Sequence, residues 1–141
     1  LWKYEDYIQS EGYNIKKIKL LNEQIEHIAP QTPTNGDPIA SGYEINKNGD
    51  YGSKFKNEYL NCLGNLMLIS GSHNSSIGNK PFKEKLKSYI KNPLLNQQAE
   101  IKDFISGNLK NPLWDKTAID KRHEKILDFA EKKWSFDNVI I

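Results

Sequence analysis

Apolar positions along the chain fall into short periodic segments, separated by stretches rich in Pro, Gly and Asn. Trp2, Tyr4, Tyr7 and Ile8 recur at helical spacing, which predicts a helix from Leu1 to about Ser10, ended by Gly12. Ile15 to Leu21 mixes apolar and basic residues and leads into Ile25-Glu26-His27-Ile28, a candidate strand stopped by Pro30. Residues 31–54 are irregular, punctuated by Pro33, Asn35-Gly36, Asp37-Pro38 and Asn48-Gly49-Asp50, with a hairpin expected around Tyr43 to Tyr51. A loop of this length inside a compact domain is usually functional or mobile.

The pattern sharpens in the second half. Lys54 to Leu63 reads as a short helix with Phe55, Tyr59, Leu60 and Leu63 on one side, ended by Gly64. Leu66-Met67-Leu68-Ile69 is the clearest strand, and Ser70 to Ser76 reads as a polar loop. Pro81 suits the first position of a helix running to Lys91, with Phe82, Leu86, Tyr89 and Ile90 inward, before Asn92-Pro93 breaks it. A further helix is expected from Asn96 to Ile105, then a loop bracketed by Gly107 and Pro112. Thr117 to Trp134 is the longest helix, opening on a Thr117 and Asp120 capping arrangement and carrying Ile119, Ile126, Leu127, Ala130 and Trp134 as its apolar stripe. Few strands among many helices predict an α+β domain.

Composition narrows the class. A chain of 141 residues suits one domain, and no apolar run approaches the roughly 20 residues that a membrane-spanning helix needs. Leu1-Trp2-Lys3-Tyr4-Glu5-Asp6 mixes charge and aromatics, unlike a signal peptide, and the single cysteine leads to the expectation of a cytoplasmic setting. The chain begins without Met and within a helical pattern, so it reads as a fragment of a longer protein, with residues 1–12 the end of a preceding helical region. Cys62 is the single cysteine, which excludes a disulfide framework and a Cys-rich zinc site; its place beside Leu63 on a face expected to be buried makes it a packing residue. A net charge of +2 does not announce a nucleic-acid binder, although Lys80, Lys83, Lys85, Lys87 and Lys91 form one basic run and Lys121, Arg122, Lys125, Lys132 and Lys133 another. The default for such runs is a solvated helix face.

Three segments carry candidate chemistry: Glu26-His27-Ile28-Ala29-Pro30-Gln31, Gly64-Asn65-Leu66-Met67-Leu68-Ile69 and Ser72-His73-Asn74-Ser75-Ser76. Successive strand residues point to opposite sides, but at a strand end a bend can turn Glu26 and His27 to one site. Carboxylate and amide oxygens are hard ligands that suit Mg²⁺ or Mn²⁺. Imidazole titrates near neutral pH and can take a proton from water beside a phosphodiester. Each residue has an ordinary alternative. Glu26-His27 can be a surface pair, Gly64-Asn65 a turn, and Asn74-Ser75-Ser76 a cap.

The conjunction resembles the HNH, or His-Me finger, nucleases, in which a motif of the Asp-His-Ile-x-Pro type, an Asn before a second strand, and a His or Asn nine residues later surround one metal ion. Here those elements are Glu26-His27-Ile28-Ala29-Pro30, Asn65 and Asn74. Closer still, the chain resembles the C-terminal nuclease domain of GmrSD-type modification-dependent restriction enzymes, through Glu26 to Gln31, Leu63-Gly64-Asn65-Leu66-Met67-Leu68, Asn74 to Phe82, and Ile119 to Arg122. The resemblance implies a ββα-metal core embedded in a mainly helical domain. It implies His27 as general base, Asn65 holding the His27 imidazole, and Glu26 and Asn74 holding one Mg²⁺ or Mn²⁺, with His73 as a possible further ligand. It implies DNA as substrate, cleaved to 5′-phosphate and 3′-hydroxyl ends, and an N-terminal NTP-using or modification-sensing domain as companion. Lys80, Lys83 and Arg122 are the candidate phosphate contacts, with a salt bridge the alternative for Arg122.

Two departures bear on this. Glu26 stands where the wider superfamily commonly has Asp, one methylene shorter, and the cysteine pairs that staple many such domains with zinc are missing. They keep a second class open, a catalytically degenerate module that binds DNA or a partner. An RNase is a third, because the same site chemistry attacks either backbone. His123, Trp2, Trp114 and Trp134 are expected to pack rather than to act.

Overall fold

The computed structural model describes residues 1–9, 22–91 and 93–135. Its centre is an antiparallel pair formed by β1 (Glu23–His27) and β2 (Leu66–Ser70). Met67, Leu68, Ile69 and Ser70 are buried, whereas β1 is exposed until Glu26. The register sets Glu26 opposite Met67 and His27 opposite Leu66. It is fixed beyond the ladder where Ile28 N–H donates to Asn65 O at 3.0 Å. Both segments were legible as strands. The segment from Ile15 to Leu21 and the helix-ending Gly12 lie outside the described residues.

The connection between the strands is irregular as expected, with a 3₁₀ turn at Ile39–Ser41, yet it packs into the core. Tyr43 and Tyr51 are buried, and an isolated bridge pairs Ile45 with Tyr51, where a hairpin was expected. Ring contacts run from Tyr43 through Tyr51 and Phe55 to Tyr59, each centroid separation 5.9 Å or less. The phenols are used as well: Tyr51 donates to Pro30 O at 2.8 Å and Tyr43 to Ile28 O at 3.4 Å. Buried tyrosines need such partners, and here the partners are the main chain just after β1. Phe55 sits on α2 (Ser53–Glu58), which ends before the Leu63 expected of it; Leu63 is 39% exposed and opens a 3₁₀ turn, Leu63–Asn65.

Ser70 to Ser76 is a helix rather than a loop: α3 spans Gly71–Ile77. Ser70 is its cap, its hydroxyl accepting from His73 N–H at 3.2 Å. The cluster of serines that suggested a loop is a helix N-terminus, since Ser suits both. The Ser41 hydroxyl, from the long connection, accepts from Phe82 N–H and so caps α4 (Phe82–Lys91). Phe82, Leu86 and Tyr89 point inward as the spacing predicts, together with Lys85, while Ile90 is 38% exposed. After α5 (Asn96–Glu100) and a 3₁₀ turn, β3 (Ser106–Gly107) and β4 (Pro112–Leu113) pair across the expected loop. Gly107 there has φ of +75°, a conformation that favours glycine.

The last helix, α6 (Lys116–Trp134), is capped by Asp115, not Thr117; the carboxylate accepts from Ala118 N–H at 3.0 Å. Its inward face is Ala118, Ile119, Arg122, Ile126 and Phe129, while Leu127 and Trp134, expected in the stripe, are exposed. The helix period carries Ile119 and Ile126 inward, but it carries Arg122 and Phe129 with them. At its far end α6 holds α1 (Trp2–Ile8), where Tyr4 meets Phe129 at a centroid distance of 5.6 Å. Glu5 of α1 accepts from Asn96 N–H and Gln97 N–H, so one carboxylate caps α5. The architecture is mixed helix and small antiparallel sheets, an α+β fold. Among the described residues no helix is long and apolar enough to cross a membrane.

Burial pushes the phenols of Tyr43 and Tyr89 well above their ordinary range, and raises Tyr51 and Tyr4 in the same direction. The unfolded chain ionises its tyrosines near pH 10, while the folded chain keeps these four protonated. Their contribution to stability is therefore full below about pH 10 and falls above it, by about 1.4 kcal/mol per pH unit for each tyrosine. Alkaline titration followed by tyrosinate absorbance is expected to show these phenols ionising together with loss of helical circular dichroism, rather than gradually in a folded protein.

Candidate active site

Glu26 and His27 close β1, and the strand's end is where they come to one place. Both line a cleft of about 400 Å³, together with Ile25, Pro30, Asn74, Asn79 and Lys85. Glu26 is 4% exposed and His27 is half-buried. A buried carboxylate needs a countercharge and hydrogen bonds. Lys85 of α4 supplies the first at 2.7 Å, and Tyr89 donates to the same Oε1 at 2.8 Å. The Lys85 ammonium also donates to His27 O at 3.0 Å. Burial pushes that ammonium down from the usual lysine range, with the Glu26 carboxylate opposing.

Asn65 does not hold the imidazole. Its side chain is fully buried and turned to the main chain: Oδ1 accepts from Ala29 N–H at 2.8 Å and Trp114 Nε1–H at 3.0 Å, while Nδ2 donates to Ala29 O at 3.0 Å and Leu60 O at 2.9 Å. The amide's donors and acceptor are all used. It fixes the chain two residues after His27, which orients the ring through the backbone rather than by contact. The residue that does touch the ring is Asn61, whose Oδ1 lies 2.9 Å from His27 Nε2. No periodicity singles out Asn61, an exposed position in the turn before Asn65.

Asn74, in the middle of α3, faces the same cleft. Its amide nitrogen donates to Gln24 Oε1 at 2.8 Å. His73 is turned away from it. His73 Nε2 lies 2.7 Å from Ser88 Oγ and Nδ1 lies 3.0 Å from Gln98 Nε2, and the ring lines a different hollow with Ser70, Ser88 and Lys91. Gln98 Oε1 accepts from Leu95 N–H, so its nitrogen is the group that faces His73 Nδ1. Burial lowers the His73 pKa, and the neutral ring is held by structural partners. The expectation that His73 joins or replaces Asn74 in the cleft is corrected on this geometry. Among the described residues no group of three or more His, Cys, Asp or Glu side chains is arranged to hold a metal.

Of the three cations expected to meet phosphate, Lys80 and Lys83 are exposed and outside the cleft lining. Arg122 is fully buried, which removes it from any surface contact. Its Nη1 donates to Leu63 O, Gly64 O and Leu66 O, so it fastens the turn that carries Asn65. Its Nε lies 3.6 Å from Glu100 Oε1, too long for a hydrogen bond, and both atoms are buried without one. The cation the sequence missed is Lys85. The signal was present: it lies three residues after Phe82 and four before Tyr89, on the inward stripe of α4, and a buried ammonium demands a buried acid. His123 is half-buried, its Nδ1 accepting from Gly64 N–H at 3.3 Å, a packing role as expected.

Asn65→Ala removes two acceptor bonds and two donor bonds at a buried site and strands the Ala29 and Trp114 N–H groups. Each stranded group costs about 1–3 kcal/mol. Urea unfolding is expected to show a loss of about 2–6 kcal/mol for Asn65→Ala, and for His27→Ala, at a half-buried position, a loss of under about 1 kcal/mol.

The family model described as GmrSD restriction endonucleases, C-terminal domain, matches residues 1–129. No curated protein and no solved structure matches the chain. The match spans the cleft, all four strands and α6 as far as Phe129. The chain belongs to the family of GmrSD restriction endonuclease C-terminal domains.

Proposed function

We propose that this domain is a metal-dependent endonuclease of the HNH, or His-Me finger, type, which hydrolyses DNA phosphodiester bonds with His27 as general base. The observation that carries the reading is that Glu26, His27 and Asn74, drawn from β1 and α3, line one cleft. The order β1, β2, α3 supports a ββα core around that cleft. On this reading residues 1–141 act as one nuclease domain in restriction of foreign DNA, in a cytoplasmic setting, with a companion N-terminal domain that senses modification or uses NTP.

The donor set fits a hard divalent cation, Mg²⁺ or Mn²⁺. Glu26 is anchored through Oε1, and Asn74 through its amide nitrogen, so Glu26 Oε2 and Asn74 Oδ1 are the oxygens without a hydrogen bond among the described residues. Two protein oxygens are a common complement for Mg²⁺, which keeps several waters and takes substrate phosphate oxygens. When bound, such an ion supplies charge stabilisation at a phosphate oxygen and at the leaving oxygen. The protein's own part is to hold the imidazole beside the attacked phosphate and to accept a proton from water. Lys80 and Lys83 are exposed cations available to the flanking phosphates.

One observation favours a second reading, a binding module without catalysis: Lys85 already neutralises Glu26. Incubation of plasmid with Mg²⁺ or Mn²⁺ separates the two. The wild-type domain is expected to nick or cut, and His27→Ala to lose about 100-fold or more of the rate, the usual worth of a general base. Equal cleavage by both proteins overturns the nuclease reading, and absence of Mn²⁺ binding with a silent Glu26→Ala favours the binding module.

A further inference from the structure

We infer that Asn61 is the positioning residue of the general base, holding His27 with its ring proton on Nε2 so that Nδ1 is the nitrogen that accepts a proton. The inference deepens the nuclease reading, and its kinetic arm rests on that reading.

An imidazole offers two nitrogens, and in the neutral ring one donates while the other accepts; the partner of one nitrogen decides the role of the other. The 2.9 Å contact of His27 Nε2 is to an amide oxygen, which only accepts. Nε2 therefore carries the proton and donates to Asn61 Oδ1. Nδ1 has no hydrogen-bond partner among the described residues, and His27 lines the cleft while Asn61 does not. One nitrogen of the ring is tied to a residue outside the cleft lining, and the other keeps its lone pair.

Asn61 is well placed to do this because the turn that carries it is pinned on both sides. Asn65 Nδ2 donates to Leu60 O at 2.9 Å, and Asn65 N–H donates to Cys62 O at 3.0 Å. The same Asn65 amide grips Ala29, two residues past His27. One buried side chain thus sets the distance between the base and the residue that orients it. In the reaction, a proton of the attacking water passes to Nδ1 and the water oxygen bonds to phosphorus. The P–O3′ bond breaks, its electron pair leaves on O3′, and O3′ takes a proton from solvent. The ring becomes a cation with both nitrogens protonated, and its bond to Asn61 Oδ1 becomes charge-assisted.

Asn61 is exposed, so its variants are expected to fold. ¹⁵N spectra of imidazole-labelled protein, recorded at about pH 8.5 where an ordinary histidine is neutral, read the tautomer directly. Wild-type His27 is expected to show a protonated, pyrrole-type Nε2 and a pyridine-type Nδ1. Asn61→Ala is expected to move both resonances toward the averaged values of a free imidazole, and Asn61→Asp, which keeps an acceptor oxygen, to retain the wild-type pattern. The reverse pattern in wild type, with the proton on Nδ1, overturns the inference. In plasmid cleavage Asn61→Ala is expected to lower kcat about 10- to 100-fold with KM unchanged, the usual effect of losing a residue that orients a reacting group, and Asn61→Asp to keep a kcat well above that of Asn61→Ala. An unchanged kcat in Asn61→Ala also overturns it. If wild type shows the expected spectrum but cuts no DNA with either metal, the nuclease reading falls and the tautomer assignment stands.

Discussion

The site depends on one buried amide. Asn65 has no exposed surface, and each polar atom of its side chain is committed: Oδ1 to Ala29 and Trp114, Nδ2 to Ala29 and Leu60. A buried amide that failed any of these bonds would carry a desolvation penalty of about 1–3 kcal/mol per group. The geometry is consequently all-or-none. The strand carrying His27, the turn carrying Asn61 and the indole under α4 meet at one side chain, and none can shift without unpairing it.

Two buried cations do comparable work around it. Lys85 holds the His27 carbonyl and the Glu26 carboxylate, and Arg122 holds the carbonyls of Leu63, Gly64 and Leu66. Backbone carbonyls at strand ends are unpaired acceptors that water would otherwise satisfy. Here ammonium and guanidinium satisfy them in the interior, from the middles of α4 and α6. Burial lowers the pKa of both cations, so their charge is held against a solvation cost by these partners. Removing one partner of such a buried pair leaves an uncompensated charge, which is strongly destabilising.

What the sequence made legible was whatever repeats locally. β1, β2, α4 and α6 follow from period and punctuation, and the family follows from residues at fixed spacing. Two errors have separate causes. The serines at positions 70, 72, 75 and 76 serve loops and helix starts alike; here the Ser70 bond to His73 N–H marks a helix start. Lys85 and Arg122 looked like surface charge because charge outweighed position, although both lie on the inward stripes of their helices. Asn61 was not legible at all. Its role exists only once residues 27 and 61 are brought together by a connection whose order comes from aromatic packing among Tyr43, Tyr51, Phe55 and Tyr59.

The glycine before Asn65 carries a consequence for how this domain can change over time. A Cβ placed on Gly64 would sit 2.3 Å from the Ile119 carbonyl oxygen and 2.9 Å from His123 Cβ. At Gly64 the site turn therefore lies directly against the main chain of α6 at Ile119. Side-chain layers tolerate drift, because a larger residue on one face can be answered by a smaller one opposite. A backbone contact has no such reservoir of compensating pairs. The turn that carries Asn65 therefore has few evolutionary exits, and variation in α6 must go around Ile119 to His123 rather than through it.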